Sequence, residues 1–369
     1  MGDALLTADA SASLYFNHSA SLFNKIRLKT PATESPLDVQ LAKLEQWSEI
    51  TLPATFVTAL AALKLMLVDV RDTLQSLSNL EIAVEVDTFG SIPANLMTYE
   101  SDGDVVVTVS VCDGNESVLH PSDLQKAFRS ALLLRTKRET GIKAWGKKDQ
   151  ATLEMTFQPT TASGMTFVID CHIRADTKPF WPISQANYLR HLGDRGETVL
   201  GVPWNRLVQA VIAYFKKHGI CSRPSMTRPY FKRPPVAFLL YSALGDEDCK
   251  SQCAGCPCIT SAFKIILHTL VHKISSKHQL DVFGDVFHNQ SFWRPRDMSE
   301  FPHDVVVVRD CAVASPYYGQ NMAYTLSKET DESLAHAITQ WCDRVHALTP
   351  AAGDPAAWNF PCMEAHTYE

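Results

Sequence analysis

The 369-residue chain has no surplus of positive charge: 34 Lys and Arg stand against 40 Asp and Glu, a formal net charge of −6. A protein that coats nucleic acid by charge alone needs a basic face to neutralise phosphate, so that class is excluded and only a local basic groove is left open. The chain also lacks any run of roughly 18 consecutive apolar residues, the length a membrane helix needs. Its longest apolar segments are broken by Lys, Thr or Asp, so a soluble chain with no membrane partner is expected. Charge blocks and low-complexity repeats are missing too. With 46% hydrophobic and 20% charged residues, the composition is that of a folded globular protein. The N-terminus has no charged segment ahead of an apolar run, and Leu6 stands where myristoylation wants Ser or Thr.

At roughly 150 residues per domain the length suggests two domains. Residues 1–45 are expected to form an arm packed on the helical part of the body. Their Ser-rich, acid-poor stretch with Lys25, Arg27 and Lys29 offers mitochondrial targeting as the other reading. A mixed-sheet domain over 46–175, a mainly helical domain over 176–350 and an irregular tail over 351–369 follow. Helical spacing of Phe56, Leu60, Leu63, Leu67, Val70 and Leu74 predicts a long amphipathic helix from Leu52 to Leu77. The period then changes to two, with Leu80, Ile82, Val84 and Val86 alternating with Glu81, Ala83 and Glu85, which predicts a half-buried strand ending near Gly90. The β-branched run 104–111 reads as a central strand. A helix over 122–138 and strands over 151–157 and 165–173 complete the first half. Helices over 203–218, 259–274 and 331–348 make up most of the second.

The segment from Phe89 to Val105 carries most of the chemistry. Asp102 and Asp104 lie two apart at the start of a strand, so their carboxylates share a face. Carboxylates that close repel unless cations lie between them. Gly90 and Ser91 end the preceding strand, where Ser91 can cap a short helix and backbone N–H groups with a hydroxyl make a phosphate cradle. Asp170 interrupts the apolar 165–171 strand, which costs free energy unless the carboxylate is paired or metal-bound. Asp102-Gly103-Asp104 alone reads more simply as a turn. The whole series of strand, Gly-Ser, nine residues, Ser101-Asp-x-Asp, strand and later Asp-bearing strand favours function.

That series resembles the polymerase-beta-like nucleotidyltransferase superfamily, and its spacing resembles the terminal uridylyltransferase and non-canonical poly(A) polymerase branch. The resemblance implies an α+β fold: a mixed-sheet catalytic domain and a mainly helical domain, with the nucleotide in the cleft between them. It implies two Mg²⁺ (or Mn²⁺) ions on Asp102, Asp104 and Asp170, and triphosphate contacts from Gly90, Ser91 and Ser101. The branch usually has Gly-Ser-x-x-x-Gly-Leu at the turn, where Asn95-Leu96 stands here. Asn187-Tyr188-Leu189 is similar to the branch's Asn-Thr-x-Leu-Leu helix, which would bring Asn187 to the ribose. The 207–220 stretch is similar to its Lys-x-Trp-x-Lys helix, with Tyr214 at the aromatic position, Lys216 reaching the triphosphate and Ile212 in place of the first Lys. Asp310 to Asn321 is similar to its Asp-Pro-Phe…Asn segment, which would set Asp310 against the uracil edge.

By the same resemblance the activity is template-independent transfer of UMP from UTP to the 3′-hydroxyl of a single-stranded RNA, in magnesium, with Asp170 helping to activate that hydroxyl. Poly(A) addition, CCA addition, second-messenger synthesis, or an inactive scaffold in an RNA-processing complex are the alternatives. Compact mitochondrial members that work in RNA editing imply a mitochondrial location, the cytoplasm being the other. A partner complex is expected to deliver RNA, since a chain of net charge −6 binds it weakly.

The branch's Ser-Tyr base support falls near Pro234, Pro235 and Val236, so Tyr230 or Phe238 is expected to grip the base instead. Cys249, Cys253, Cys256 and Cys258 offer four thiolates, but a Cys-x-Cys pair strains chelation and no second pair follows about 15 residues on. Zinc is disfavoured against a Cys-rich surface loop. Trp181, Trp204 and Trp293 read as core, with Trp293 the best exposed candidate for stacking.

Overall fold

The computed structural model describes residues 52–98, 101–112, 120–147, 151–158, 166–176, 178–217, 233–276, 278–282, 293–302, 306–312 and 315–323, with Leu41 and Asp304 besides. The arm and tail, the Asp331–Leu348 helix, Tyr230 and most of 1–45 lie outside the described residues.

Helix α1 (Leu52–Ser78) leads into strands β1 (Ile82–Phe89) and β2 (Gly103–Val111), followed by helix α2 (Pro121–Thr136) and strands β3 (Ile142–Gly146), β4 (Thr152–Phe157) and β5 (Phe167–Arg174). The five strands form one mixed sheet in the order β1-β2-β5-β4-β3. Only the β2–β5 pair is parallel. Alternation explains its two faces. Val105, Val107 and Val109 of β2, with Ile169, Cys171 and Ile173 of β5 and Leu153 and Met155 of β4, pack beneath Leu63, Leu67 and Val70 of α1 and Leu124, Phe128 and Leu132 of α2. The intervening residues face the other way, away from those helices.

The second half is helical and has its own core. It runs through α3 (Trp181–Gly193), the two-residue strands β6 (Thr198–Val199) and β7 (Val202–Pro203), α4 (Trp204–Lys217), α5 (Arg233–Leu244), α6 (Glu247–Ala254) and α7 (Ile259–Ser275). A small sheet follows, of β8 (His278–Val282), β9 (Trp293–Pro295) and β10 (Val307–Asp310) in the order β10-β8-β9. Its strands are only three to five residues long, too short for a period-two pattern to show against the helical background.

Trp293 is 7% exposed and belongs to the helical core, as its reading as core expects. Two readings are corrected here. Phe238 is fully buried in the same core and cannot grip a base. The cysteine segment is no surface loop: Asp246 caps α6 through the Cys249 N–H, and Cys249 and Cys253 are buried with their Sγ atoms 3.9 Å apart. The stretch before β4 holds an unforeseen strand, β3, at the edge of the large sheet.

The residues linking the two cores form a single structural device. Asn95 N–H donates to the Ile92 carbonyl and Leu96 N–H to the Ser91 carbonyl, with Asn95 at φ 56°. These are the paired closing bonds of a Schellman motif around one helical turn, which wants Gly or Asn in the left-handed position. Asn95 can therefore stand where the related branch has Gly. We expect Asn95→Ala to lower stability by about 1–2 kcal/mol and Asn95→Gly to leave it nearly unchanged, read from denaturant midpoints of the two variants.

Candidate active site

The first site residues come from strand ends. Phe89 of β1 pairs with Asp104 of β2, and Asp104 pairs with Asp170 of β5. The row continues to Glu154 on β4 and Trp145 on β3. Register alone thus sets Asp104, Asp170 and Glu154 side by side on the face not covered by α1 and α2. Asp102, two residues before Asp104, joins them: oxygens of Asp102, Asp104 and Asp170 all lie within 4.8 Å of one another, each residue half-buried. Among the described residues this is the only grouping of three or more His, Cys, Asp or Glu able to hold a metal ion.

Such a cluster is electrostatically costly. Two unit charges at about 4 Å repel by ~1 kcal/mol in water and by ~4 kcal/mol near a protein surface. Burial raises the Asp170 pKa, with pairing to Lys147 pulling the other way and the Asp102 charge adding to the rise. Lys147, just after β3, sets its ammonium on Asp170 Oδ2 and 3.5 Å from Glu154. Asp170 Oδ1 is buried and has no hydrogen-bond partner. The carboxylate thus has one oxygen held by a cation and the other available, which suits a metal ligand whose second oxygen is fixed from behind. The three carboxylates are hard oxygen donors of the kind Mg²⁺ or Mn²⁺ prefers, so the residues fit the ions that the resemblance implies.

Gly90 borders the same cluster. Its φ is +76°, and a Cβ there would lie 2.1 Å from Asp104 Oδ2. Ser91 follows, 9% exposed, with a buried Oγ that has no hydrogen-bond partner among the described residues. A buried hydroxyl without a hydrogen bond costs about 1–3 kcal/mol, so this one is best explained by an acceptor that arrives with a ligand. The expected helix cap at Ser91 is instead the one-turn motif described above, in which its carbonyl, not its hydroxyl, is used. Ser101 is buried, and its Oγ accepts the Thr98 N–H at 2.8 Å, shaping the turn that delivers Asp102. Phe180 closes one side, edge-on to Phe89 and stacked on His172.

Three strands of one mixed sheet thus gather the carboxylates beside a Gly-Ser turn at the end of β1. The fold is α+β, a mixed-sheet domain followed by a mainly helical half. No protein-family model and no curated protein matches the chain. In shape it is similar to the Cid1 poly(U) polymerase with MgGTP bound, at 12% identity over 90% of this chain and 94% of that one, TM-score 0.49. It is likewise similar to terminal uridylyl transferase 4 from Trypanosoma brucei with bound dUTP, at 11% identity over 86% of this chain and 100% of that one, TM-score 0.49. The polymerase core of TRAMP, an RNA surveillance complex, is similar at 13% identity over 82% and 84%, TM-score 0.46. No described helix is long and apolar enough to cross a membrane.

The remaining expected contacts are dispersed. Asn187 is exposed on α3, so it is not a buried amide serving local backbone. Lys216 lies in α4, with its side chain outside the described residues. Tyr214 is fully buried against Phe263. Asp310 is fully buried at the end of β10, where Oδ1 accepts the Ala312 N–H at 3.0 Å and Oδ2 the Ser315 hydroxyl at 2.6 Å. Each oxygen of that carboxylate thus already accepts one hydrogen bond from the segment that follows it. Lys147 and Glu154 were missed in the sequence. Their only sequence signal is charge alternating with apolar residues, as in Leu153-Glu154-Met155.

Proposed function

We propose that this chain is a template-independent RNA nucleotidyltransferase that adds UMP to a 3′ end. The observation that carries the transferase part is the carboxylate cluster, Asp102, Asp104 and Asp170 within 4.8 Å, beside the unpartnered Ser91 hydroxyl. Nucleotidyl transfer requires charge neutralisation and in-line positioning more than covalent help from the protein. Divalent ions held by Asp102, Asp104 and Asp170 would neutralise phosphate charge and lower the pKa of an attacking hydroxyl.

The chain's own groups do the rest. The Ser91 hydroxyl donates to a phosphate oxygen, and Gly90 lets that phosphate approach Asp104 without a side chain between them. Asp170 orients the RNA 3′-hydroxyl, with its second oxygen fixed by Lys147. By the resemblance, Lys216 of α4 would supply a further cation to the triphosphate. The uridylyl part rests on the resemblance of the Gly-Ser, nine-residue, Ser-Asp-x-Asp spacing, since Asp310 is engaged within its own turn.

The test is direct. Protein, Mg²⁺ or Mn²⁺, a labelled single-stranded RNA and each NTP in turn should give a ladder with UTP and little with the others. Best extension with ATP overturns the uridylyl assignment. A soluble cyclic product, or no product with any nucleotide, overturns RNA transfer itself.

A further inference from the structure

An in-line reaction places the entering and leaving oxygens on opposite sides of the phosphorus. Gly90 and Ser91 lie at the β1 end of the row Phe89, Asp104, Asp170, Glu154, Trp145. If the triphosphate sits there, the attacking 3′-hydroxyl comes from the Asp170 side, and the RNA behind it crosses β4 and β3. β3 presents an unusual surface along that path. Ile142 and Ala144 pack toward the sheet core, whereas Lys143 is exposed and Trp145 is 46% exposed on the opposite face, with Lys147 next in the same period.

Lysines on an edge strand have a simpler explanation, since they discourage edge-to-edge pairing. An exposed Trp has no place in that explanation, because it makes such an edge stickier. Cation, aromatic and cation alternating on one face is the combination that holds single-stranded nucleic acid, with bases stacking on the ring and phosphates meeting the ammonium groups. Trp145 is two strands from Asp170, roughly 10 Å at the usual interstrand spacing, a span that a terminal dinucleotide bridges. Lys147 lies between them.

We infer that the open face of β3 is the platform for the 3′-terminal nucleotides of a single-stranded RNA, with a base stacked on Trp145 and phosphates met by Lys143 and Lys147. The inference rests on the transferase reading for the direction of the strand. It gives this acidic chain a local RNA contact that its net charge alone would not supply.

The test uses the full-length protein and a fluorescently labelled single-stranded RNA, first in Mg²⁺ without nucleotide and then in the transfer assay. Trp145→Ala should weaken RNA binding and raise the KM for RNA by roughly tenfold, with the KM for UTP unchanged. Trp145→Phe should restore most of both. Lys143→Ala should reduce the salt slope of binding by about one. Because Trp145 is exposed, circular dichroism and melting of these variants should match wild type. Unchanged RNA affinity in Trp145→Ala, equal losses in Trp145→Ala and Trp145→Phe, or parallel changes in both KM values would each overturn the platform. A wild type that transfers no nucleotide would overturn the transferase reading alone, since the binding measurement decides the platform without it.

Discussion

Asp102→Asn, Asp104→Asn and Asp170→Asn each lower nucleotidyl transfer by roughly a thousandfold or more, because each removes metal-neutralising charge worth several kcal/mol at 1.36 kcal/mol per tenfold. The volume of the side chain is kept, so the fold survives. Asp170→Asn carries a second signature. Burial raises the folded pKa of Asp170 above its ordinary 3.8. The folded chain then binds this proton more tightly than the unfolded one, so the group costs nothing below about pH 3.8 and costs most above its folded pKa. At neutral pH in EDTA, Asp170→Asn is relieved of this cost but loses the ion pair that raises the Lys147 pKa, so it should melt close to wild type. Adding Mg²⁺ or Mn²⁺ should raise the melting point of wild type and have much less effect on this variant. Near-normal transfer by any of the three, or equal metal-dependent stabilisation of wild type and Asp170→Asn, contradicts the assignment.

Gly90→Ala should reduce transfer by about a hundredfold, the scale of a 1 Å misplacement at a reacting centre. Two effects act at this position and can be separated. The left-handed backbone, φ +76°, strains any residue with a Cβ, and that Cβ would stand 2.1 Å from Asp104 Oδ2, forcing the carboxylate aside. Gly196 supplies the control, since its φ is +74° but nothing lies within 4 Å of an added Cβ. Both alanine variants should lose about 1–2 kcal/mol of stability, and only Gly90→Ala should lose activity and metal-dependent stabilisation. Equal activity in the two variants would mean that Asp104 tolerates displacement and is not held where the chemistry needs it.

The site was legible where local pattern decides position. The β-branched run ending in Val111 could only be an interior strand, and Asp170 was conspicuous within its apolar strand. Asp102 and Asp104 declared a shared face by being two apart. What could not be read depends on pairing between distant segments. Glu154 meets Asp170 only because β4 lies antiparallel to β5 in one register, and Lys147 reaches both because β3 pairs with β4. Phe238 resembled a base-gripping aromatic, and its burial in the helical core is a tertiary outcome that no local spacing signals.

The single helical turn after Gly90 also packs into both halves of the molecule. Ile92 and Met97 pack into the core under the sheet, whereas Ala94 and Leu96 between them belong to the helical core. Gln209, fully buried in α4 and braced 2.8 Å from Arg206, clamps the Met97 carbonyl from the other side. Ser91 opens this seven-residue segment, so a ligand seated on its hydroxyl would be held by a turn that both cores anchor.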